Sequence, residues 1–267
     1  MYRIQQITEE TVWEEFVKKQ VYTLFVQSWK YGKFYVARGE QFWVWGIFAG
    51  EKLCGGSLVL SVHARRGNFL YVPYGPLLSP QLSKAEGNEA LHIFFVYLKD
   101  FAKKNHYDFI RVSPFFADTS DIRAKFRANG FRPAPMHILA EYTWLLDLHV
   151  SEAELLKNMA KNHRNLIRRC EREGVRVAMS HGEGALASFN KLHDVTAARH
   201  KFHRFSNDYV RKEFSAFAPD NEAVSFSAYL ADGTLDSAGI FMYYGNMGAY
   251  RHGASILLDK KIPTSYL

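Results

Sequence analysis

The chain has 267 residues, a formal net charge of +7 and 48% hydrophobic residues, and it contains two cysteines. This length fits two domains of about 100–150 residues each, and the apolar content excludes a chain that is disordered throughout. Two cysteines, Cys54 and Cys170, do not make a disulfide framework or a zinc site, and the positive charge favours tRNA, a nucleotide diphosphate or an anionic membrane surface as partner without choosing among them.

The first half of the sequence predicts a sheet with a long helix packed on it. Residues 1–16 lack the basic start and apolar stretch of a secretory signal. The longest apolar run, 42–50, is far shorter than the about 20 residues of a membrane span, so we expect a cytoplasmic protein. Short aromatic and β-branched runs with glycine turns between them predict an antiparallel meander. The predicted elements are helices at 9–20, 80–106 and 121–129, the last ended by Gly130, and strands at 42–49, 55–63, 68–72 and 108–112.

The second half repeats this order of elements. A strand is predicted at 143–148, and Ser151 with Glu154 forms a capping box for one long helix that ends at Glu173, before Gly174. We place a domain boundary here, which gives domains 1–147 and 148–267. The elements that follow are strands at 175–179, 223–231 and 235–244, the last two joined at Asp232-Gly233, and helices at 184–200 and 208–218.

The stretch from Leu146 to Val175 is similar to the signature of the FemABX family. It contains an LDL strand, the helix sequence SEAELLKNM and the helix end RNLIRRCEREGV. The resemblance implies an α/β fold of two tandem GNAT-like acyltransferase domains. The second domain is expected to be incomplete, because the chain ends at Leu267 in mid-pattern. Smaller matches lie in family order at Gln27-Ser28-Trp29, Tyr31-Gly32-Lys33, Tyr71 to Pro76, Thr196 with Arg199 and Phe202, and Gly253-Ala254-Ser255 with Pro263.

The resemblance also implies an activity. Such proteins move an amino acid from aminoacyl-tRNA, a co-substrate, to the stem-peptide amine of a peptidoglycan precursor, either UDP-MurNAc-pentapeptide or lipid II. No cofactor, metal or stable protein partner is implied, and the protein would act in the cytoplasm or in peripheral contact with the inner membrane surface. The implied substrate-binding residues are Lys33, Tyr74, Arg199 and His252.

Three of these residues also have a simpler explanation. Considered alone, Lys33 is explained as a solvated surface lysine. Tyr74 is explained as a packed turn residue, and Arg199 as part of a solvated helix face. The catalytic residue is not identified. Ser79 stands near the position of a family aspartate, and the chain ends before the family's FK segment with its lysine.

Five basic residues of the helix predicted from Ser151 recur at spacings of four, three, four and four. Such a stripe could follow the phosphates of a tRNA acceptor arm, since neutralised phosphates supply most sequence-independent affinity. A solvated helix face or a dock for anionic lipid explains the same spacing. These residues are Lys157, Lys161, Arg164, Arg168 and Arg172.

The remaining features bear on the alternatives. An acyl-CoA-dependent N-acyltransferase would need a glycine-rich turn whose amides bind the pyrophosphate, but 71–80 has Pro73, Pro76 and Pro80, which lack amide hydrogens. A non-catalytic protein that binds tRNA or a membrane surface is the other alternative. No Ser-His-Asp or Cys-His arrangement is evident, and the scattered histidines have no partner at catalytic or ligand spacing, so we expect them to be surface or core residues. They are His63, His92, His106, His137, His181 and His193.

Overall fold

The computed structural model describes residues 2–65, 67–259 and 261–267. The chain divides into two compact units. Unit 1 comprises Met1–Tyr142 and Tyr244–Met247, and unit 2 comprises Thr143–Tyr243 and Gly248–Leu267. The domain boundary predicted after residue 147 falls in an irregular segment at the start of unit 2. Among the described residues, no helix combines the length and the apolar character that crossing a bilayer requires.

Unit 1 is built on a mixed sheet in the order β1-β2-β3-β4-β6, and β5 also pairs with β3. The pairs from β1 to β4 are antiparallel, which confirms the predicted meander, whereas β4 and β6 run parallel. Strand β1 and helix α2 were not predicted. The elements are β1 (Tyr2–Gln6), α1 (Glu10–Lys18), α2 (Trp29–Ala37), β2 (Phe42–Ala49), β3 (Lys52–Ala64), β4 (Gly67–Pro73), β5 (Leu77–Leu78), α3 (Lys84–Lys104), β6 (Phe109–Ser113) and α4 (Ser120–Ala128).

Helix α3 supplies much of the unit 1 core. The apolar face predicted for it is confirmed, because Leu91, Phe94, Phe95 and Leu98 are buried against the sheet. Fully burying such side chains stabilises a fold by about 1.5–3 kcal/mol each. Helix α4 ends where predicted, since Gly130 takes the left-handed conformation at φ +76° that glycine adopts without steric cost.

Unit 2 contains a second sheet, in the order β10-β9-β8-β7. The predicted hairpin between β8 and β9 is confirmed: Gly233 has φ +87°, and Asp232 Oδ1 accepts a hydrogen bond from Thr234 N at 2.9 Å. The elements are α5 (Glu152–Asn158), α6 (Lys161–Arg172), β7 (Arg176–Ser180), α7 (Gly184–His200), α8 (Asn207–Phe217), β8 (Ala223–Tyr229), β9 (Leu235–Tyr244) and β10 (Met247–Ser255).

The strand predicted at 143–148 is wrong, because this segment is irregular. Trp144 and Leu148 are 84% and 67% exposed. Alternating apolar residues form a strand only when a neighbouring strand accepts their backbone hydrogen bonds. Within the described parts of the chain, no strand pairs with this segment.

The single helix predicted from Ser151 to Glu173 is also wrong. Met159 has extended backbone angles, φ −67° and ψ +150°, and it separates α5 from α6. The side chain of Arg164 stabilises this break, because its Nη1 donates to the carbonyl oxygens of Lys157 at 2.9 Å and of Met159. These carbonyls at the end of α5 have no partner within the helix, and a nearby cation satisfies them and complements the helix dipole.

Candidate functional site

Unit 2 contains a fully buried carboxylate on α8 that binds two neighbouring residues of β10. Glu213 is 0% exposed. Its Oε1 accepts from Arg251 Nε at 3.0 Å and from Arg251 Nη2 at 2.8 Å, and its Oε2 lies 2.8 Å from His252 Nε2. The Arg251 Nη2 also donates to the hydroxyl of Tyr209 at 3.2 Å. We call these four residues the Glu213 cluster.

The charges of this cluster balance each other. Burial raises the pKa of Glu213, but the charge of Arg251 and the hydrogen bond from His252 outweigh it and lower the pKa to about 2. Glu213 is therefore ionised throughout the neutral range. Desolvating a charge costs several kcal/mol, and the arginine and the imidazole offset that cost.

A second imidazole lies beside the cluster. His193, on α7, is 5% exposed, and its ring centroid is 6.2 Å from that of His252. Its Nδ1 is buried and has no hydrogen-bond partner among the described residues. Burial, together with the electrostatic influence of His252 and Arg204, lowers the pKa of His193 to about 4. His193 is thus a core histidine, one of the two environments expected for it, and its closeness to His252 could not be seen in the sequence because 59 residues separate the two.

The end of α7 carries Arg199, a predicted substrate-binding residue. Its Nη1 donates to Ile256 O at 2.7 Å and its Nη2 to Ser255 Oγ at 3.1 Å. Thr196, one turn earlier, donates to Ser255 O at 3.0 Å and accepts from Ser255 N at 2.9 Å. Neutral oxygens thus fix the Arg199 guanidinium, and no carboxylate of the described residues pairs with it. An oriented cation without a counter-charge is suited to bind an anion.

His252, also predicted to bind substrate, lies on β10 with Ser255, a partner of Arg199. The structure places it in the buried Glu213 cluster rather than at the surface. Within unit 2, two predicted substrate-binding residues thus lie on α7 and β10, Arg199 and His252 respectively. No hydrogen bond between these two side chains is found among the described residues.

In unit 1, Lys33 lies on α2, which begins after Ser28. The Ser28 hydroxyl accepts from Tyr31 N at 3.2 Å and caps this helix. The Lys33 Nζ pairs with Glu10 Oε2 at 2.7 Å, and both side chains are substantially exposed. Exposed pairs of this kind contribute little stability, so an anionic ligand could displace Glu10 at small cost.

Tyr74 follows β4 in a conformation that is unusual for its residue type. Its φ is +50°, the left-handed region that non-glycine residues seldom occupy and that often marks functional sites. Its hydroxyl donates to Ala140 O at 3.2 Å, and its ring packs edge-to-face on Phe115 at 5.1 Å between centroids. The parallel strands β4 and β6 end side by side here, at Pro73 and Ser113, and such carboxyl edges commonly hold ligands.

The basic residues predicted to meet tRNA are divided between α5 and α6. Lys157, Lys161, Arg168 and Arg172 are exposed, and Arg172 pairs with Glu173 at 3.7 Å. Arg164 is committed to capping α5. The regular stripe expected on one straight helix is therefore absent, while tRNA contact by these residues stays a prediction.

The first turn of α3 bears on the acyl-CoA alternative. Ser83 and Glu86 form a capping box in which Ser83 Oγ accepts from Glu86 N at 3.3 Å and Glu86 Oε2 accepts from Ser83 N at 2.8 Å. A carboxylate thus occupies the helix end where a pyrophosphate would bind, and it would repel that ligand. Ser79, which stands near the family aspartate, is buried and donates to Gln81 Oε1 at 2.7 Å.

Two successive α/β units, each with a central sheet, define the tandem GNAT-like fold class. The chain belongs to the FemAB family, whose model matches residues 7–128 and 115–231. The predicted fold class and the family resemblance are therefore confirmed.

Comparison with solved structures agrees with this assignment. The crystal structure of FemX matches with a TM-score of 0.78 at 16% identity, covering 99% of this chain and 83% of FemX. A conserved protein of unknown function from Bacteroides thetaiotaomicron matches with a TM-score of 0.53 at 14% identity, covering 100% of this chain and 83% of that one. At these identities the likeness concerns the fold. No curated protein matches the chain significantly.

Proposed function

We propose that the protein transfers an amino acid from aminoacyl-tRNA to the stem-peptide amine of a peptidoglycan precursor, UDP-MurNAc-pentapeptide or lipid II, in the cytoplasm or at the inner membrane surface. Membership of the FemAB family supports the class of reaction. The observation that carries the proposal is the Arg199 guanidinium, which neutral oxygens of Ser255 and Ile256 orient and no described carboxylate neutralises.

Both candidate acceptors carry a diphosphate, and a diphosphate is bound best by oriented cations and hydroxyl donors. Arg199 fits that role because its charge is uncompensated. Lys33 fits it because its ion pair with Glu10 is exposed. Tyr74, held in a strained conformation, would contact the sugar or the peptide of the acceptor.

The donor would be bound by the exposed cations of α5 and α6. Phosphate neutralisation by lysine and arginine gives affinity that does not depend on sequence and falls steeply with salt. Lys157, Lys161 and Arg168 are the most suitable, because all three are exposed and no ion pair with a carboxylate of the described chain holds any of them.

The reaction is the aminolysis of an activated ester. The acceptor nitrogen bonds to the aminoacyl carbonyl carbon, the ester C–O bond breaks, and the ribose oxygen leaves with the electron pair and a proton. The amine loses one proton in exchange. Orientation of the two substrates and stabilisation of the tetrahedral oxyanion would supply the rate enhancement, so a covalent enzyme intermediate is not needed.

The experiment that tests this proposal compares two donors in parallel. Purified protein is incubated with UDP-MurNAc-pentapeptide or lipid II and either total tRNA charged with labelled amino acids or labelled acetyl-CoA. We expect label in the acceptor only from tRNA, and none after RNase treatment. Label from acetyl-CoA would identify an acyl-CoA enzyme, and tRNA binding without any transfer would identify a non-catalytic binding protein.

A matched pair of variants assigns the acceptor site. Arg199→Ala should weaken acceptor binding about 10- to 100-fold, the usual range for a charged hydrogen-bond donor. Arg123→Ala serves as control, because this exposed arginine pairs with Asp118 on unit 1. Equal affinities of both variants and the wild type in calorimetry would refute the role of Arg199.

A further inference from the structure

Glu213 is a charged group that the proposed chemistry does not use. It is fully buried, and a buried carboxylate is costly even when it is paired. A buried ion pair is often replaceable by apolar residues without loss of stability, so stability alone does not explain its presence. Its two hydrogen-bonding partners, Arg251 and His252, are consecutive residues of β10.

The two residues that orient Arg199 lie at the end of β10: Ser255 is its last residue and Ile256 follows it. Ser255 follows His252 by three residues, about 10 Å along an extended strand. Ser255 and Ile256 accept hydrogen bonds from the Arg199 guanidinium, and Thr196 holds Ser255 by both its N–H and its carbonyl. The Glu213 cluster therefore fixes β10 at Arg251 and His252. The end of the same strand, at Ser255, contacts Arg199, the candidate anion site.

His193 extends this connection on the side of α7. It lies three residues before Thr196 and six before Arg199, so the three residues follow the same side of the helix. Its ring packs beside that of His252, and its buried Nδ1 has no partner in the described structure. Three polar side chains of α7 thus face β10 and the residue after it: His193 lies beside His252, Thr196 binds Ser255, and Arg199 binds Ser255 and Ile256.

We propose that Glu213 is a positioning residue for the Arg199 anion site: by holding Arg251 and His252, it fixes β10 so that Ser255 and Ile256 present the oxygens that orient the guanidinium. This inference rests on the proposed function of Arg199 and adds a residue that does not touch the ligand. Glu213 should then matter for anion binding only while Arg199 is present.

A double-mutant cycle tests this dependence, with UDP as a diphosphate probe in calorimetry. Glu213→Gln keeps the shape of the side chain and removes its charge. We expect it to weaken UDP binding about 5-fold or more in the wild-type background and less than about 2-fold in the Arg199→Ala background, since coupled residues deviate from additivity. A purely structural loss would add equally in both backgrounds.

Two further variants keep the test decisive. If Glu213→Gln does not fold, His252→Gln and His252→Phe replace it, because only the glutamine retains a donor for Glu213; the phenylalanine should lower UDP affinity several-fold more than the glutamine, and equal losses would overturn the positioning role. Glu40→Gln is the matched control. Glu40 also binds a histidine, with His63 Nδ1 at 2.7 Å, but it belongs to unit 1.

The outcomes separate this inference from the proposed function. If the wild type binds UDP, Arg199→Ala weakens binding and Glu213→Gln does not, the positioning role is overturned and the proposed function stands. Equal losses with and without Arg199 overturn it as well. A wild type that binds no UDP overturns both the acceptor assignment and this inference.

Discussion

Protonation of the buried His193 should make unit 2 acid-sensitive. The pKa of this residue falls from 6.5 to about 4 because burial and the electrostatic influence of His252 and Arg204 disfavour the imidazolium. Between those two values the unfolded chain binds more protons than the folded one, so stability falls as the pH falls. This one group should cost about 2 kcal/mol between pH 7.5 and pH 5, and about 3 kcal/mol at pH 4.

Hydrogen exchange of the amides in α7 and β10, corrected for intrinsic rates, measures this loss locally. The opening free energy of the wild type should drop by about 2 kcal/mol more between pH 7.5 and pH 5 than that of His193→Leu, which cannot titrate. His92→Leu, at an exposed histidine of unit 1, controls for the loss of an imidazole. The reasoning fails if His193→Leu shows the same pH dependence as the wild type.

Three further predictions follow from individual contacts. Arg164→Leu should destabilise α5 by about 1 kcal/mol, because it removes the donor that caps the helix, and faster exchange in 152–158 would show it. Gly75→Ala should lower the stability of unit 1 by about 1–3 kcal/mol in thermal unfolding, because its Cβ would lie 2.4 Å from Ser57 Oγ; an unchanged melting temperature would contradict the packing argument. Charge reversal at Lys161 and Arg168 together should weaken tRNA binding about 10-fold or more and flatten its salt dependence, whereas equal salt slopes would exclude α6 from the contact.

The periodicity of the sequence was sufficient for most elements of both units. Apolar spacing predicted the face of α3 that packs on the sheet, and Gly130 and Asp232-Gly233 marked a helix end and a hairpin correctly. These signals are local, because they depend on residues within a few positions of each other. The family motifs also predicted a substrate-binding role for Arg199, which stays a prediction, and the sequence alone could not reveal its partners Ser255 and Ile256.

The failures occurred where distant parts of the chain decide the outcome. The apolar alternation of 143–148 predicted a strand, but a strand also requires a partner. The helix predicted through Met159 is interrupted, and no glycine or proline marks the break. The Glu213 cluster was missed because its carboxylate and its imidazole are 39 residues apart and meet only through the packing of α8 against β10.

The most direct test of the account is the steady-state kinetics of transfer from charged tRNA to UDP-MurNAc-pentapeptide, followed by the mass of the acceptor. We predict that the wild type adds one aminoacyl residue, and that Arg199→Ala raises the KM for the acceptor about 10-fold or more while kcat changes little, since uniform binding is lost. An acceptor of unchanged mass with the wild type, or a KM that is the same in both proteins, would contradict the account.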